Sequence, residues 1–392
     1  MPKVTKTKSR SGNAPVTPLR FAHPYFVPTP PPRRKAQPAF GKRMLDHIQG
    51  TLSKIPAVKG NSQMTLADVI GKKSADAIAA ANQITIHLAG DTGVRETDHE
   101  TKQVIVAEVM ARDYDAHKPQ LSPAFFLHLG DVLYGPNPAF YLEEFYRPYM
   151  HYPGKIIAIP GNHDGESAAK MAAFQEYFCA ATQTVPPIAG SIFRQTMNQP
   201  GVYWCLDAPF VQIIGLYSNS AENPGFISGT NPGQKQKQWL VKTLKALRTE
   251  RDGGTRKALL FATHHPPYSS GGHSGSKVML ADIDDACQQA GIWPDAFFSG
   301  HAHSLQRYTR SVKVGAKTLT IPHIVSGCGG HGGQVVATPG ASAGANPTFD
   351  FAYKGWGYTK LVASSQTVTI TSYGVGDDMT AMQVDQVTVH LV

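Results

Sequence analysis

The chain has no apolar run near the roughly 18 residues a membrane-crossing helix needs, so it reads as a protein without a transmembrane segment. Cysteine is scarce. Cys179, Cys205, Cys287 and Cys328 form no close-spaced pair, which argues against a disulfide scaffold or a thiolate metal motif and leaves them as reduced core or loop residues. No apolar segment follows Arg33-Arg34 as a signal peptide would require. The expectation is therefore a cytoplasmic protein, or a secreted or periplasmic one whose leader has been removed. Internal repeats are absent. Beyond residue 60 there is no basic stretch with interleaved aromatics, which argues against a nucleic-acid-binding module.

Charge is divided unequally. The formal net charge is +9, yet residues 1–60 hold 12 Lys or Arg against the single acid Asp46, and the remainder holds 25 bases against 27 acids. The basic character therefore belongs to an arm, which is also proline-rich, as in Pro28-Thr29-Pro30-Pro31-Pro32-Arg33-Arg34-Lys35. We divide the chain into a basic arm, 1–65, and a catalytic domain, 66–392, that includes the C-terminal strands. The arm reads as solvated or draped over its own domain, the alternative being an anchor for an acidic or polyanionic partner of residues 1–60.

Periodicity predicts helices over 66–81, 97–112, 139–150, 168–178, 231–247 and 281–290. Paired strands are expected at 201–206 and 210–216, and Val-, Thr- and Ile-rich strands at 319–325, 358–363, 367–373 and 384–392. Helices lie between the early strands, while late strands follow one another. That order suggests an α/β protein with two packed sheets and helices outside.

Five short apolar runs carry the functional signal. Residues 84–89 run into Gly90-Asp91-Thr92-Gly93, and 125–129 into Gly130-Asp131-Val132-Leu133-Tyr134. Residues 156–159 lead into Gly161-Asn162-His163-Asp164, 258–263 into His264-His265-Pro266, and 296–299 into Gly300-His301-Ala302-His303. Apolar runs that stop at glycine turns read as buried strands, and sites in layered α/β folds gather at the carboxyl ends of such strands. Two Asp, a Tyr, an Asn and several His would thus meet at one sheet edge. That oxygen and imidazole inventory suits a pair of metal ions. Alone, each signal is weak: a Gly-Asp pair is usually a turn, and strand histidines such as His87 and His128 are usually core residues.

The ordered set resembles the calcineurin-like metallophosphoesterases, and more narrowly the small, mammalian-type purple acid phosphatases. The wider superfamily opens with Asp-x-His, whereas this chain has Asp91-Thr92-Gly93. The purple acid phosphatases share that missing histidine and supply a tyrosine in Gly-Asp-x-x-Tyr, here Gly130 to Tyr134. The likeness extends to Gln236-x-x-Trp239-Leu240, to Gly300 through Gln306 and to Ser326-Gly327-Cys328-Gly329-Gly330, over roughly residues 83–375.

The resemblance implies a four-layer α/β-β/α sandwich of two mixed sheets flanked by helices. It implies a binuclear centre with Fe(III) held by Asp91, Tyr134 and His303, and a divalent ion (Fe, Zn or Mn) held by Asn162, His264 and His301, with Asp131 bridging. His264 is preferred to His265 because the family ligand stands two residues before the proline. The family position three residues before that histidine is commonly Val and is Phe261 here. The implied activity is acid phosphatase: hydrolysis of a phosphomonoester, in a small molecule or a phosphoprotein, by metal-bound hydroxide. Alternatives are a phosphodiesterase acting on cyclic nucleotides or phospholipid headgroups, and a non-catalytic phosphate-binding protein. His163 and His273 are the candidates to bind phosphate or protonate the leaving group. His331, in Gly329-Gly330-His331-Gly332-Gly333, reads as a loop residue or a residue of the pocket rim, and His323 as structural.

Overall fold

A computed structural model describes residues 41–93, 97–135, 137–166, 171–254, 256–340 and 345–391, the side chains of 97–101 excepted. Most of the basic arm, and with it the expectation of a polyanionic partner, lies outside the described residues. In chain order the strands are β1 (Gln63–Thr65), β2 (Ile84–Ala89), β3 (Pro123–His128), β4 (Lys155–Ala158), β5 (Trp204–Asp207), β6 (Val211–Leu216) and β7 (Ala258–Thr263). They continue with β8 (Ala296–Ser299), β9 (Leu305–Val314), β10 (Lys317–Ser326), β11 (Thr348–Tyr353), β12 (Gly357–Ala363), β13 (Thr367–Val375) and β14 (Ala381–His390). The helices are α1 (Lys42–Thr51), α2 (Leu66–Ile70), α3 (Lys72–Ala80), α4 (Thr97–Ala111), α5 (Ala172–Phe178), α6 (Lys235–Asp252) and α7 (Lys277–Ala290).

The strands form two mixed sheets flanked by helices. One has the order β1-β5-β6-β7-β8-β10-β9-β11, the other β14-β13-β12-β2-β3-β4. Strand alternation builds the layers. Ile213, Leu260 and Phe298 point into the core shared with Ile86, Leu88, Phe125 and Leu127 of the other sheet. Their sequence neighbours Ile214, Leu259, Phe261 and Phe297 point the other way, onto Leu240, Leu244, Met279 and Ile283 of α6 and α7. A period of two puts successive residues on opposite faces. Strands covered on both faces are largely apolar, and β2, β3, β6 and β7 are buried along their whole length.

The parallel runs β2-β3-β4 and β6-β7-β8-β10 bring seven strand ends toward one edge. Gly90 N–H donates to Ser326 O at 2.8 Å, joining the end of β2 to the end of β10 across the two sheets.

Local departures from the expected elements have identifiable causes. The 66–81 helix is broken at Gly71, whose φ of 84° no helix accepts. The 139–150 segment holds a short 3₁₀ turn, Pro138–Phe140, then a widened π turn, Leu142–Tyr146, in which Arg147 N–H reaches Leu142 O at 2.9 Å. Such widened turns recur at functional sites, and this one buries Glu144. Strands β9 and β11 were not anticipated. Arg307 and Arg310 interrupt the apolar pattern of β9, and they are matched by Asp350, Asp385 and Asp284.

The expected boundary at residue 65 falls inside the packed body. Strand β1 pairs with β5, Ser62 Oγ donates to Tyr203 O, and Lys59 Nζ donates to Cys179 O at 2.6 Å. Leu52, just past α1, is buried with Ala221 and Phe226.

Candidate metal centre

The five expected clusters converge. Gly90-Asp91 follows β2, Gly130-Asp131 follows β3, Asn162 lies beyond β4, His264 follows β7 and His301 follows β8. Close approach dictates the local sequence. A Cβ on Gly130, whose φ is 95°, would lie 2.7 Å from Gly161 N and from His264 Nδ1. Three of the expected ligands, Asp91, Asp131 and His301, themselves sit at φ of 57°, 55° and 67°. Such left-handed backbone is held only where the surroundings over-determine it, and it clusters at functional sites.

Asp91 Oδ1 lies 3.3 Å from the Tyr134 hydroxyl, 3.4 Å from His303 Nε2 and 4.0 Å from His264 Nε2. The Tyr134 hydroxyl is also 3.3 Å from His303 Nε2. Beside this group, His264 Nε2 lies 3.2 Å from Asp131 Oδ2 and 3.0 Å from Asn162 Oδ1. Ligand atoms of Asp131, His264 and His301 lie within 4.8 Å of one another. All seven predicted metal residues therefore gather in one site, linked through His264, which lies near both Asp91 and Asp131.

The imidazoles are oriented by carbonyls. His264 Nδ1–H donates to Leu129 O at 2.9 Å and His303 Nδ1–H to Gly332 O at 3.0 Å, leaving each Nε2 facing the carboxylates. His301 Nε2–H donates to Glu222 O at 2.8 Å, leaving Nδ1 free. A hydrogen bond at the far nitrogen is how proteins preset a histidine ligand. His265 differs: Nε2–H donates to Ala221 O at 2.7 Å and Nδ1 meets Ser218 Oγ at 2.7 Å, so both nitrogens are engaged away from the site.

Charge agrees with geometry. Among the described residues, the ion pairs of Asp91 and Asp131 are with histidines alone. Burial works against an ionised Asp131, but His264 and His163 beside it together outweigh burial and hold the carboxyl well below its ordinary range. Burial likewise opposes a charged His264, yet Asp131 and Asp91 raise it to about 9. Burial, then the two aspartates, push the Tyr134 phenol far above its usual value. Two buried carboxylates and a phenol without a Lys or Arg partner fit cations better than any other occupant.

His163 and His273 flank the cluster. His163 Nδ1 is 3.0 Å from Glu166 Oε1, its N–H donates to Asp131 Oδ1 at 3.0 Å, and its ring lies 4.5 Å from that of Tyr134. His273 sits 4.1 Å, ring to ring, from His301.

Sequence reasoning missed several supporting residues. Buried Asp164 accepts N–H groups of Gly161, Asp131, Val132 and Leu133, at 2.8, 2.9, 3.3 and 3.3 Å, and so clamps two ligand loops together. Glu144 accepts the Tyr134 N–H at 2.8 Å. Glu222, on the loop beyond β6, lies 3.2 Å from His273 Nδ1 and accepts from Asn162 Nδ2 at 3.3 Å. Gln334 Nε2 donates to His273 Nε2 at 2.8 Å. The strand-end signal that found the ligands also points to the loops after β6 and β10, which carry Glu222, His331 and Gln334. His128 and His323 are core residues: His128 bonds Thr92 Oγ1 and Gly130 N–H, and His323 stacks on Phe297.

No curated protein matches the chain. Among solved structures it is similar to GAP50, described as the anchor in the inner membrane complex of Plasmodium, at 13% identity and a TM-score of 0.52, covering 79% of this chain and 89% of that one. It is similar to PhoD at 13% identity and a TM-score of 0.50, covering 79% and 70%. A dimetal phosphatase from Danio rerio aligns at 12% identity and a TM-score of 0.42, over 79% and 99%. At these identities the first two likenesses speak for the fold alone. A family profile described as calcineurin-like phosphoesterase matches residues 84–305. That span is more than half of the chain, runs from the start of β2 to the start of β9 and holds every candidate ligand, so the chain belongs to the calcineurin-like phosphoesterases, metal-dependent hydrolases of phosphate esters.

Proposed function

We propose that the chain is a binuclear phosphomonoesterase of the purple acid phosphatase type, with a catalytic body that begins at α1. One observation carries the reading: the Tyr134 hydroxyl stands 3.3 Å from both Asp91 Oδ1 and His303 Nε2, beside the turn Thr92-Gly93 that lacks the superfamily's histidine. In this reading Asp91, Tyr134 and His303 would hold Fe(III), Asn162, His264 and His301 would hold a divalent ion, and Asp131 would serve both. When bound, the two ions neutralise phosphate oxygens and acidify water. Tyr134 serves as phenolate, which its buried position beside two aspartates permits only next to a strongly Lewis-acidic ion.

The chain's own groups divide the remaining work. His163 is the clamp for the phosphate. Burial disfavours its charge, but Asp131 and Glu166 together raise its affinity for a proton, so it presents positive charge to an anion. His273 is the proton donor to the leaving oxygen. Its Nδ1–H points at Glu222 Oε1, 3.2 Å away, and Nε2 accepts from the Gln334 amide.

The test combines substrate, metal and spectrum. An aryl phosphate monoester should be cleaved in preference to its bis-ester, and the oxidised protein should contain iron and absorb visible light, with the absorption lost in Tyr134→Phe. Zn or Mn at both positions and never Fe would refute the iron–tyrosinate assignment. Preference for the bis-ester would refute the monoesterase.

A further inference from the structure

The loop after β10 holds a side chain that no ligand assignment uses. The His331 ring lies 3.7 Å from the Tyr134 ring with an interplanar angle of 5°, a face-to-face stack. Two bonds fix it there: its backbone N–H donates to Asp91 O at 2.9 Å, and its Nδ1–H donates to Gly93 O at 3.0 Å. The same loop orients His303, since Gly332 O accepts His303 Nδ1–H at 3.0 Å and Gln334 N–H donates to His303 O at 2.9 Å. The flanking glycines allow the approach. A Cβ on Gly330 would sit 2.6 Å from Gln103 Cβ and 2.8 Å from Thr92 O.

We infer that His331 is a positioning residue for Tyr134, a π-stacked clamp that holds the ring with its oxygen toward Asp91 and His303 and shields one face from water. The inference rests on the reading of Tyr134 as a metal ligand. A tyrosine side chain turns about two bonds, and its N–H bond to Glu144 fixes only the backbone. The stack restrains the ring on one face, alongside the His163 ring 4.5 Å away. An aromatic pair contributes about 0.5–1.5 kcal/mol beyond area burial. It also excludes water from a phenolate whose donor strength depends on what solvates it. The His331 ring also meets the His303 ring edge-on at 4.7 Å, so both of its ring contacts here are with candidate ligands and it acts on metal binding.

The experiment uses the full chain loaded with Fe(III), comparing the parent with His331→Ala and His331→Phe. Two quantities are read: affinity of the iron in competition with a chelator, and the position of the visible tyrosinate band. Folding is checked by the urea midpoint. His331→Ala should lose about 10–100-fold in iron affinity, the range seen when a residue supporting a ligand is removed, and its band should move. His331→Phe keeps the stack and should retain most of the affinity and the parent's band. A parent-like affinity and band in His331→Ala would overturn the inference, and so would a His331→Phe protein that behaves like His331→Ala. A parent that binds iron without any visible band would overturn the ligand reading of Tyr134 and this inference with it.

Discussion

His323 sets a measurable limit on how far the folded chain withstands acid. It is 3% exposed, stacked on Phe297 at 5.0 Å and set edge-on to Tyr268 at 5.0 Å, with neither ring nitrogen partnered among the described residues. Burial, and secondarily Arg310, lower its pKa from 6.5 to about 3. A folded-state value below the unfolded one means that the unfolded chain binds the extra proton. The stability this residue allows is therefore complete above about pH 6.5 and lost as pH falls through the interval toward 3. At about pH 5, roughly 1.5 pH units below the unfolded value, the loss from this one imidazole is about 2 kcal/mol, and at about pH 7.5 it is close to nothing. His323→Phe keeps the ring contact and removes the titration. Near pH 7.5 the variant should be as stable as the parent or more so, because a buried polar group without partners is replaced by an apolar one. Near pH 5 its advantage should grow by about 2 kcal/mol. Urea unfolding at the two pH values reads the difference directly. If parent and variant lose equal stability between them, His323 is not held neutral in the folded protein and the reasoning fails.

Other expectations follow from the site. If, as proposed, one carboxylate serves both metal positions, Asp131→Ala should abolish hydrolysis and lower the content of both metals, and two metals per chain with normal turnover would refute the bridge. Deleting residues 1–60 should lower stability and turnover, because it removes α1 and the packing of Leu52 on Ala221 and Phe226, next to Glu222. Deleting 1–40 should leave turnover on a small aryl phosphate unchanged, and a large loss there would make the arm part of the site. His273→Ala should lower kcat on alkyl phosphates by about 10²–10⁴ and less on aryl phosphates with acidic leaving groups, with metal content intact. His163→Ala should depress both substrate classes alike, and an active His273→Ala would return His273 to an ordinary loop residue.

Much of this protein is determined locally. Apolar runs bounded by glycine announce buried strands whatever surrounds them, so β2, β3, β4, β7 and β8, and the ligand types at their ends, were legible in the chain. The absence of a histidine at Gly93 and the presence of Tyr134 were legible for the same reason, being matters of residue identity. Tertiary structure decided what identity leaves open. The roles of Glu144, Asp164, Glu222 and His331 depend on loops 10 to more than 200 residues apart in sequence meeting at one edge, as when His331 Nδ1–H reaches Gly93 O. No local pattern encodes that distance. Strand β9 escaped notice because its arginines are matched by carboxylates on other elements, so the cost of placing them in a sheet is offset at a distance. The helix expected over 66–81 broke at Gly71, whose φ of 84° no helix accepts, and the one over 139–150 gave way to a widened turn that buries Glu144.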